Sequence, residues 1–179
     1  THGIAPAVLR DLVGLARTTP SGGNLQPHKY VLSCSAEGNA LVYDTLAWAA
    51  YLPEWKGPPV HERPTAYVVM LLDRTITETV KIKVVDIDAG IAAQTILLGA
   101  VERGLGGCLF ASVRREELVR RLDLPDTFAI ALVIALGRPV ETVVLDRLAP
   151  GGSVKYWREP DGTHHVPKRS LEELIVKQV

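Results

Sequence analysis

The chain has 179 residues, and its 20 Lys and Arg are matched by 20 Asp and Glu, so the formal net charge is zero. This balance gives no global field that would favour nucleic acid, an anionic membrane or a highly charged partner. With 47% hydrophobic and 22% charged residues, the composition is typical of one globular domain with a substantial core, and it excludes extended disorder. We therefore expect a single domain over residues 1–179.

The two cysteines, Cys34 and Cys108, have neither the spacing of metal ligands nor the density of a disulfide scaffold. A reducing, cytoplasmic setting is the simpler interpretation. We expect no secretory segment, and no apolar stretch that reaches the ~20 residues of a membrane helix. Adjacent His164 and His165 would point to opposite faces of a strand, so a metal site is not expected.

Hydrophobic periodicity predicts a helix, a strand and a second helix in the first third of the chain. PAVLRDLVGLAR, residues 6–17, has apolar residues at helical spacing and stops before Pro20. KYVLSC, residues 29–34, indicates a short strand, and AEGNALVYDTLAWAAYL, residues 36–52, a helix. EWKGPPVHERPT, residues 54–65, carries three prolines and a glycine, which favours a surface loop.

The middle of the chain predicts alternating strands and helices. AYVVMLLD, residues 66–73, is continuously apolar, as in a buried strand. DIDAGIAAQTILLGAVERG, residues 86–104, predicts a long helix with Asp86 and Asp88 at its beginning and Gly104 at its end. The further predictions are strands over residues 106–113 and 128–137, separated by a charged helix over 114–123.

Near the end of the chain, the turn signal EPDG separates two short extended segments, SVKYWR and THHVPK. SLEELIVKQV, residues 170–179, predicts a final helix. Strands interleaved with helices favour a sheet covered by helices.

One stretch, RTTPSGGNLQPHKY (residues 17–30), has an unusual density of small and amide-bearing residues. Gly22 and Gly23 would let the backbone approach a flat ligand, while Asn24 and Gln26 offer donors and acceptors that suit a nucleobase or a flavin. The simpler alternative is a turn between helix and strand. The glycine spacing does not match the known phosphate-binding loops.

Four segments, in chain order, resemble the FMN-dependent nitroreductase family: PSGGNLQP, GIAAQTILLGAVERGLGGCLFASV, LVIALGRPVE and HHVPKRSLEELI. The resemblance covers most of the chain. It implies an α+β, nitroreductase-like fold, with a central, mostly antiparallel sheet flanked by helices, and a homodimer that binds FMN at the subunit interface. It also implies a ping-pong oxidoreductase that takes electrons from NADH or NADPH and reduces nitroaromatics, quinones or flavins as small-molecule acceptors.

The same resemblance implies which residues bind the cofactor. The residues expected to line the flavin ring and its pyrimidine edge are Pro20, Ser21, Gly22, Asn24 and Gln26. The segment whose backbone passes the ring, with an amide facing N5, comprises Leu109, Phe110, Ala111 and Ser112. Lys168 and Arg169 are expected to hold the FMN phosphate by charge-assisted hydrogen bonds, although without the resemblance they would read as an ordinary solvated pair. No catalytic side chain is expected, because the flavin carries the chemistry.

The sequence departs from the family pattern in two places. The usual arginine-rich motif ahead of the first helix is not found. We expect it upstream of residue 1, and the alternative is that the protein holds the phosphate with fewer groups. TETVKIKVVDID, residues 77–88, puts charged and β-branched residues ahead of the central helix.

Several residues and activities keep alternative interpretations. Trp48 and Trp55 either pack or wall a substrate pocket, and Lys29 is a candidate for a positive group at the flavin N1 and O2 edge. Cys108 is expected to be a small core residue. The alternative functions are another flavin-dependent activity on the same fold, dehalogenation or flavin fragmentation, and a non-catalytic flavin-binding module.

Overall fold

The computed structural model describes residues 3–52, 54–77 and 82–179. Its contacts divide the chain into two compact units. The first unit comprises Thr1–Ala47 and Pro58–Pro139, and the second comprises Trp48–Gly57 and Val140–Val179. A single domain over residues 1–179 stays a prediction.

The first unit is built on a four-stranded antiparallel sheet with the strand order β1-β2-β4-β3. The strands are β1 (His28–Ser33), β2 (Ala66–Asp73), β3 (Gly106–Phe110) and β4 (Phe128–Gly137). Strands β2 and β4 lie in the middle of the sheet, and most of their residues are buried whichever face they point to. This explains why they read as continuous apolar runs rather than as alternating ones. The predicted bounds of β2 and β4 are confirmed.

In the described part of the chain, the α-helices of this unit are α1 (Pro6–Ala16), α2 (Ala36–Tyr43), α3 (Arg74–Thr77), α4 (Ile82–Glu102) and α5 (Arg115–Arg121). Helices α1 and α4 pack together on one face, where Leu9, Leu12 and Ile96 are fully buried. A Cβ atom on Gly99 would lie 2.6 Å from Cδ1 of Leu15, so a glycine in α4 lets α1 approach closely. Helices, an antiparallel sheet and this packing confirm the predicted α+β class.

By length and composition alone, one helix in the described part of the chain could cross a membrane. It is Val84–Glu102, a segment of 19 residues with a mean hydropathy of 1.6. Ala93, Ile96 and Ala100, on its buried face, belong to the core of the first unit. The apolar character of α4 is therefore explained by its place in this core.

The second unit contains a three-stranded sheet with the order β5-β7-β6. Its elements are β5 (Val143–Arg147), β6 (Trp157–Arg158), β7 (His164–Lys168) and the short helix α6 (Leu171–Leu174). Strands β6 and β7 lie within the two extended segments predicted around EPDG, and they pair antiparallel. In this turn the backbone N–H of Thr163 donates to the Asp161 carboxylate at 2.8 Å, and this bond lowers the pKa of Asp161.

Aromatic side chains supply much of the packing in the second unit. The Trp48 and Trp55 rings meet edge to face with centroids 5.9 Å apart. The guanidinium carbon of Arg158 lies 4.6 Å from the centroid of the Trp55 ring. These contacts favour the packing interpretation of the two tryptophans.

Three helix boundaries differ from the predictions by four residues or more, and at the end of α2 a tertiary contact overrides the local pattern. Helix α2 ends at Tyr43 instead of residue 52, since Leu46 forms a β-bridge with Val113 and Ala49 has a positive φ of 39°. Helix α4 already includes Ile82, four residues before the predicted start at Asp86. The final helix ends at Leu174, and β-branched Ile175 takes an extended conformation.

Candidate flavin site

The segment between α1 and β1, residues 20–26, forms a turn with an unusual backbone. Gly23, Asn24 and Gln26 have φ angles of 57°, 55° and 50°, in the left-handed region that a glutamine rarely adopts. The Ser21 hydroxyl accepts the Gln26 N–H at 3.1 Å, and the Gln26 side-chain amide donates to Asn24 at 3.2 Å. We call these residues the 20–26 loop. It presents the exposed side chains of Asn24 and Gln26 in a defined arrangement.

Helix α4 holds the beginning of the 20–26 loop. The backbone N–H of Gly22 lies 3.0 Å from both carboxylate oxygens of Asp88, a residue with only 6% of its surface exposed. A Cβ atom on residue 22 would lie 2.1 Å from Cγ1 of Val84. The chain therefore needs glycine at position 22 for this close approach.

Contacts with α4 and β2 hold the other end of the loop. Nε2 of His28 lies 3.1 Å from the carbonyl oxygen of Val85, so it can donate a hydrogen bond to the same helix. The carbonyl of Pro27 accepts the N–H of Asp73, the last residue of β2, at 2.9 Å. The 20–26 loop is thus fixed at both ends to the core of the first unit.

The second predicted segment, residues 109–112, runs off the end of the edge strand β3. The β3–β4 ladder ends where Phe110 pairs with Val133, and Phe110 is buried while Leu109 is 43% exposed. Ala111 and Ser112 follow beyond the ladder and are exposed, and the Ser112 carbonyl accepts the N–H of Ala47 at 3.0 Å. The backbone amides of residues 111 and 112 therefore lie outside the sheet.

Cys108 is exposed, which corrects its prediction as a small core residue. It lies on the edge strand β3, where its neighbours Gly107 and Leu109 are exposed as well. Lys29 is also exposed, and it lines an open groove between α1 and β1 together with Arg10, Arg17 and Arg103.

The predicted phosphate residues lie in the second unit. Lys168 is the exposed last residue of β7, and Arg169 forms an ion pair with Glu173, one helical turn away. Both partners of this pair are about half exposed, at 50% and 45% of their side-chain surface. Arg147 of β5 is in register with Lys168 and adds a third cation, which the sequence pattern did not single out.

The predicted site residues are divided between the two units. The 20–26 loop and the 109–112 segment both belong to the first unit, and Lys168 and Arg169 belong to the second. Asp88 was placed at a helix start by the sequence prediction, whereas it lies inside α4 on the buried face. The sequence contains a signal for the burial of Asp88, because Asp88, Ala92 and Ile96 are four residues apart and therefore share one face of a helix.

The antiparallel sheet, the long core helix α4 and the amide-bearing loop fixed to it define an α+β protein with a candidate site for a planar ligand. A family model described as the nitroreductase family matches residues 1–138. The chain belongs to the nitroreductase family.

Solved structures share this fold. A nitroreductase-type protein from Desulfovibrio desulfuricans in complex with FMN is 19% identical with a TM-score of 0.67, over 99% of this chain and 87% of that one. An FMN-dependent nitroreductase from Clostridium difficile R20291 is 18% identical with a TM-score of 0.58, over 78% and 79%. CLA-ER, an enone reductase of gut-bacterial fatty acid saturation, is 17% identical with a TM-score of 0.63, over 78% and 81%.

Proposed function

We propose that the protein is an FMN-dependent oxidoreductase of the cytoplasm. It takes electrons from NADH or NADPH and passes them in pairs to a small-molecule acceptor, such as a nitroaromatic, a quinone or a free flavin. The observation that carries this proposal is the 20–26 loop, which presents two amide side chains and is fixed to the core by a buried carboxylate. Family membership and the FMN complexes of proteins with the same fold support it.

The residues of the first unit fit a flavin ring. The exposed amides of Asn24 and Gln26 match the alternating carbonyls and nitrogens of its pyrimidine edge, since each amide both donates and accepts. The backbone amides of Ala111 and Ser112 lie outside the β3–β4 ladder, where they can donate to a ring nitrogen. The half-exposed Leu109 side chain offers an apolar contact for the ring.

When bound, FMN supplies two-electron hydride chemistry, which no amino-acid side chain provides. The tasks left to the protein are to bind, to orient and to stabilise charge. Backbone N–H groups of residues 111 and 112 do this without a titratable side chain, so their hydrogen bonds do not change with pH. A general acid or base is not required for hydride transfer from the nicotinamide.

Lys168, Arg169 and Arg147 are the cations that would hold the FMN phosphate. Guanidinium groups bind phosphate through paired charge-assisted hydrogen bonds, and an ammonium adds a point charge. Arg169 is engaged with Glu173. A phosphate group must therefore compete with this carboxylate for the guanidinium.

We also propose that the protein acts as a homodimer. Ile87, Ile91, Leu98 and Val101 are exposed on α4, at successive spacings of four, seven and three residues that place them on one helical face. Three of these four side chains are more than 60% exposed. A second copy of the chain packed on this face would remove the apolar surface from water.

The test is the absorption spectrum of the purified protein followed by turnover. We expect visible flavin bands, release of FMN on denaturation, and steady oxidation of NADH or NADPH with menadione or a nitrofuran as acceptor. Bound flavin without turnover of any acceptor would favour the flavin-binding module instead. A protein that neither contains nor takes up FMN would contradict the proposal.

A further inference from the structure

We propose that Asp88 is a positioning residue for the flavin, because it holds the 20–26 loop in the conformation that presents Asn24 and Gln26 to the pyrimidine edge. This inference rests on the proposed function, and it assigns a role to a residue of α4 that belongs to neither predicted flavin segment. Asp88 acts through the Gly22 amide rather than by touching the cofactor.

Burial of the Asp88 carboxylate costs free energy of hydration. Asp88 has 6% of its surface exposed, and its neighbours on the buried face of α4 include Ala89 and Ala92. A small apolar residue would serve packing at this position better, because a buried carboxylate loses hydration that only strong hydrogen bonds replace. Both hydrogen bonds described for Asp88 come from the Gly22 N–H. The role of the buried Asp88 carboxylate is therefore to hold the loop.

The 20–26 loop has an unusual backbone conformation. Three of its residues have left-handed backbones, and two of these are the amide-bearing Asn24 and Gln26. Such a backbone persists only when surrounding contacts enforce it. The hydrogen bonds between Ser21, Asn24 and Gln26 are internal, so they shape the loop without attaching it to the sheet and helices.

Hydrogen bonds attach the 20–26 loop to the rest of the first unit on both sides. After Gln26, the Pro27 carbonyl and the His28 ring tie the chain to β2 and α4. Before Asn24, the attachment is the bond from Gly22 to Asp88, which closes against Val84. Loss of this bond leaves the beginning of the loop with its local attachment to α1, through Thr19 and Ala16, but without its bond to α4, and the flavin must then order the loop when it binds.

The experiment compares three variants in the full chain. Asp88→Leu removes both acceptor oxygens and keeps the number and branching of the side-chain heavy atoms, and Asp88→Asn keeps one acceptor oxygen. Asp86→Leu changes an exposed carboxylate on the same helix and is the matched control. FMN dissociation constants are measured on the apoprotein by flavin fluorescence. We expect a rise of about tenfold, equivalent to about 1.4 kcal/mol, for Asp88→Leu, less than about threefold for Asp88→Asn, and no change for Asp86→Leu.

Hydrogen exchange of the apoprotein separates positioning from general damage to the fold. We expect Asp88→Leu to speed exchange of the amides of residues 20–26 while exchange in β2 and β4 stays at the wild-type rate. Rescue of slow exchange by Asp88→Asn supports the role of the acceptor oxygen. Equal exchange in the loop, or loss of protection throughout the sheet, overturns the inference.

The two proposals fail in distinguishable ways. A wild-type apoprotein that binds no FMN overturns the proposed function, and the flavin role of Asp88 with it. A wild type that binds FMN with an affinity that Asp88→Leu leaves unchanged overturns only the role of Asp88.

Discussion

The backbone amide of Gly22 and the carboxylate of Asp88 are 66 positions apart in sequence and 3.0 Å apart in the structure. This contact joins a surface loop to the face of a core helix. It couples the stability of the first unit to the shape of its candidate flavin site, because the same helix turn carries the Val84 side chain that closes on Gly22.

Gly22→Ala is expected to lower the free energy of unfolding by about 1 to 3 kcal/mol, because its Cβ atom would overlap Cγ1 of Val84. Urea denaturation of the apoprotein measures this loss. The double variant Gly22→Ala with Val84→Ala should recover most of it, since the overlapping methyl group is gone.

Gly14→Ala is the matched control for this prediction. Gly14 lies in α1, and among the described residues no atom beyond its chain neighbours and the backbone of its own helix lies within 4 Å of the position a Cβ would take. Its replacement should leave stability unchanged or raise it by up to about 1 kcal/mol through helix propensity. Equal stability of Gly22→Ala and the wild type would show that the loop does not depend on this close approach.

Much of the fold could be predicted from the sequence because some elements are determined locally. Strands β2 and β4 are long apolar runs, and the Asp161 turn carries its own hydrogen-bond acceptor. In contrast, α2 stops where Leu46 pairs with Val113, a partner 67 positions away, and no local pattern contains that information. Strand β5 alternates apolar and charged residues only weakly and was not predicted.

The residue types of the candidate site could be predicted from the sequence, whereas the contacts that hold these residues in place could not. The amides of Asn24 and Gln26 stand out in a glycine-containing segment, so the sequence alone singles out the 20–26 loop. The role of Asp88 could not be read from the sequence, because it requires knowing which loop lies over which turn of α4. The pairing of Arg169 with Glu173 follows from a spacing of four residues, yet the sequence does not say whether phosphate or carboxylate takes the guanidinium.

Arg169→Ala is expected to raise the FMN dissociation constant roughly tenfold to hundredfold, because a charged hydrogen bond to phosphate is lost. Glu173→Gln should lower it by a few fold, since it releases Arg169 from its ion pair. Equilibrium dialysis with FMN measures both changes. Arg120→Ala, an exposed arginine of α5, is the control. Unchanged flavin content in Arg169→Ala would show that the guanidinium does not bind the cofactor.

Leu98→Glu is expected to convert the proposed homodimer into a monomer, because it places a charge in the middle of the apolar face of α4. Light scattering after size-exclusion chromatography gives the mass of each species. Val140→Glu changes a residue that is 78% exposed and outside α4, and it should remain dimeric. A wild-type protein that is monomeric at micromolar concentration with flavin bound would overturn the dimer.

Tyr67→Phe is expected to leave stability at neutral pH unchanged or to raise it by up to about 1 kcal/mol, because the buried Tyr67 hydroxyl has no hydrogen-bond partner among the described residues. Tyr43→Phe is the matched comparison. The Tyr43 hydroxyl donates to the Pro58 carbonyl at 3.1 Å, so its loss should cost about 1 kcal/mol. Thermal unfolding of both variants measures the difference.

The same tyrosine gives a pH dependence. Burial raises the pKa of Tyr67 far above its ordinary value of 10.0, and the neighbouring Tyr43 raises it further, while Arg63 opposes them. The unfolded chain therefore ionises first, and the stability that the neutral form provides is present below pH 10 and is lost as the pH rises above it. Tyr67→Phe should lose less stability than the wild type above pH 10. Equal losses would contradict this assignment.

The most direct test of the proposed flavin chemistry is anaerobic stopped-flow reduction of the FMN-loaded protein by NADH and by NADPH. The Cys108→Ala variant is measured beside the wild type. Because FMN and backbone amides are assigned the chemistry, we expect the flavin absorbance to bleach rapidly with at least one nucleotide. The Cys108→Ala rate should lie within a few fold of the wild type. A flavin that binds but is reduced by neither nucleotide would contradict the proposed function. A loss on the order of a thousandfold in Cys108→Ala, with FMN bound normally, would contradict a mechanism without a catalytic side chain.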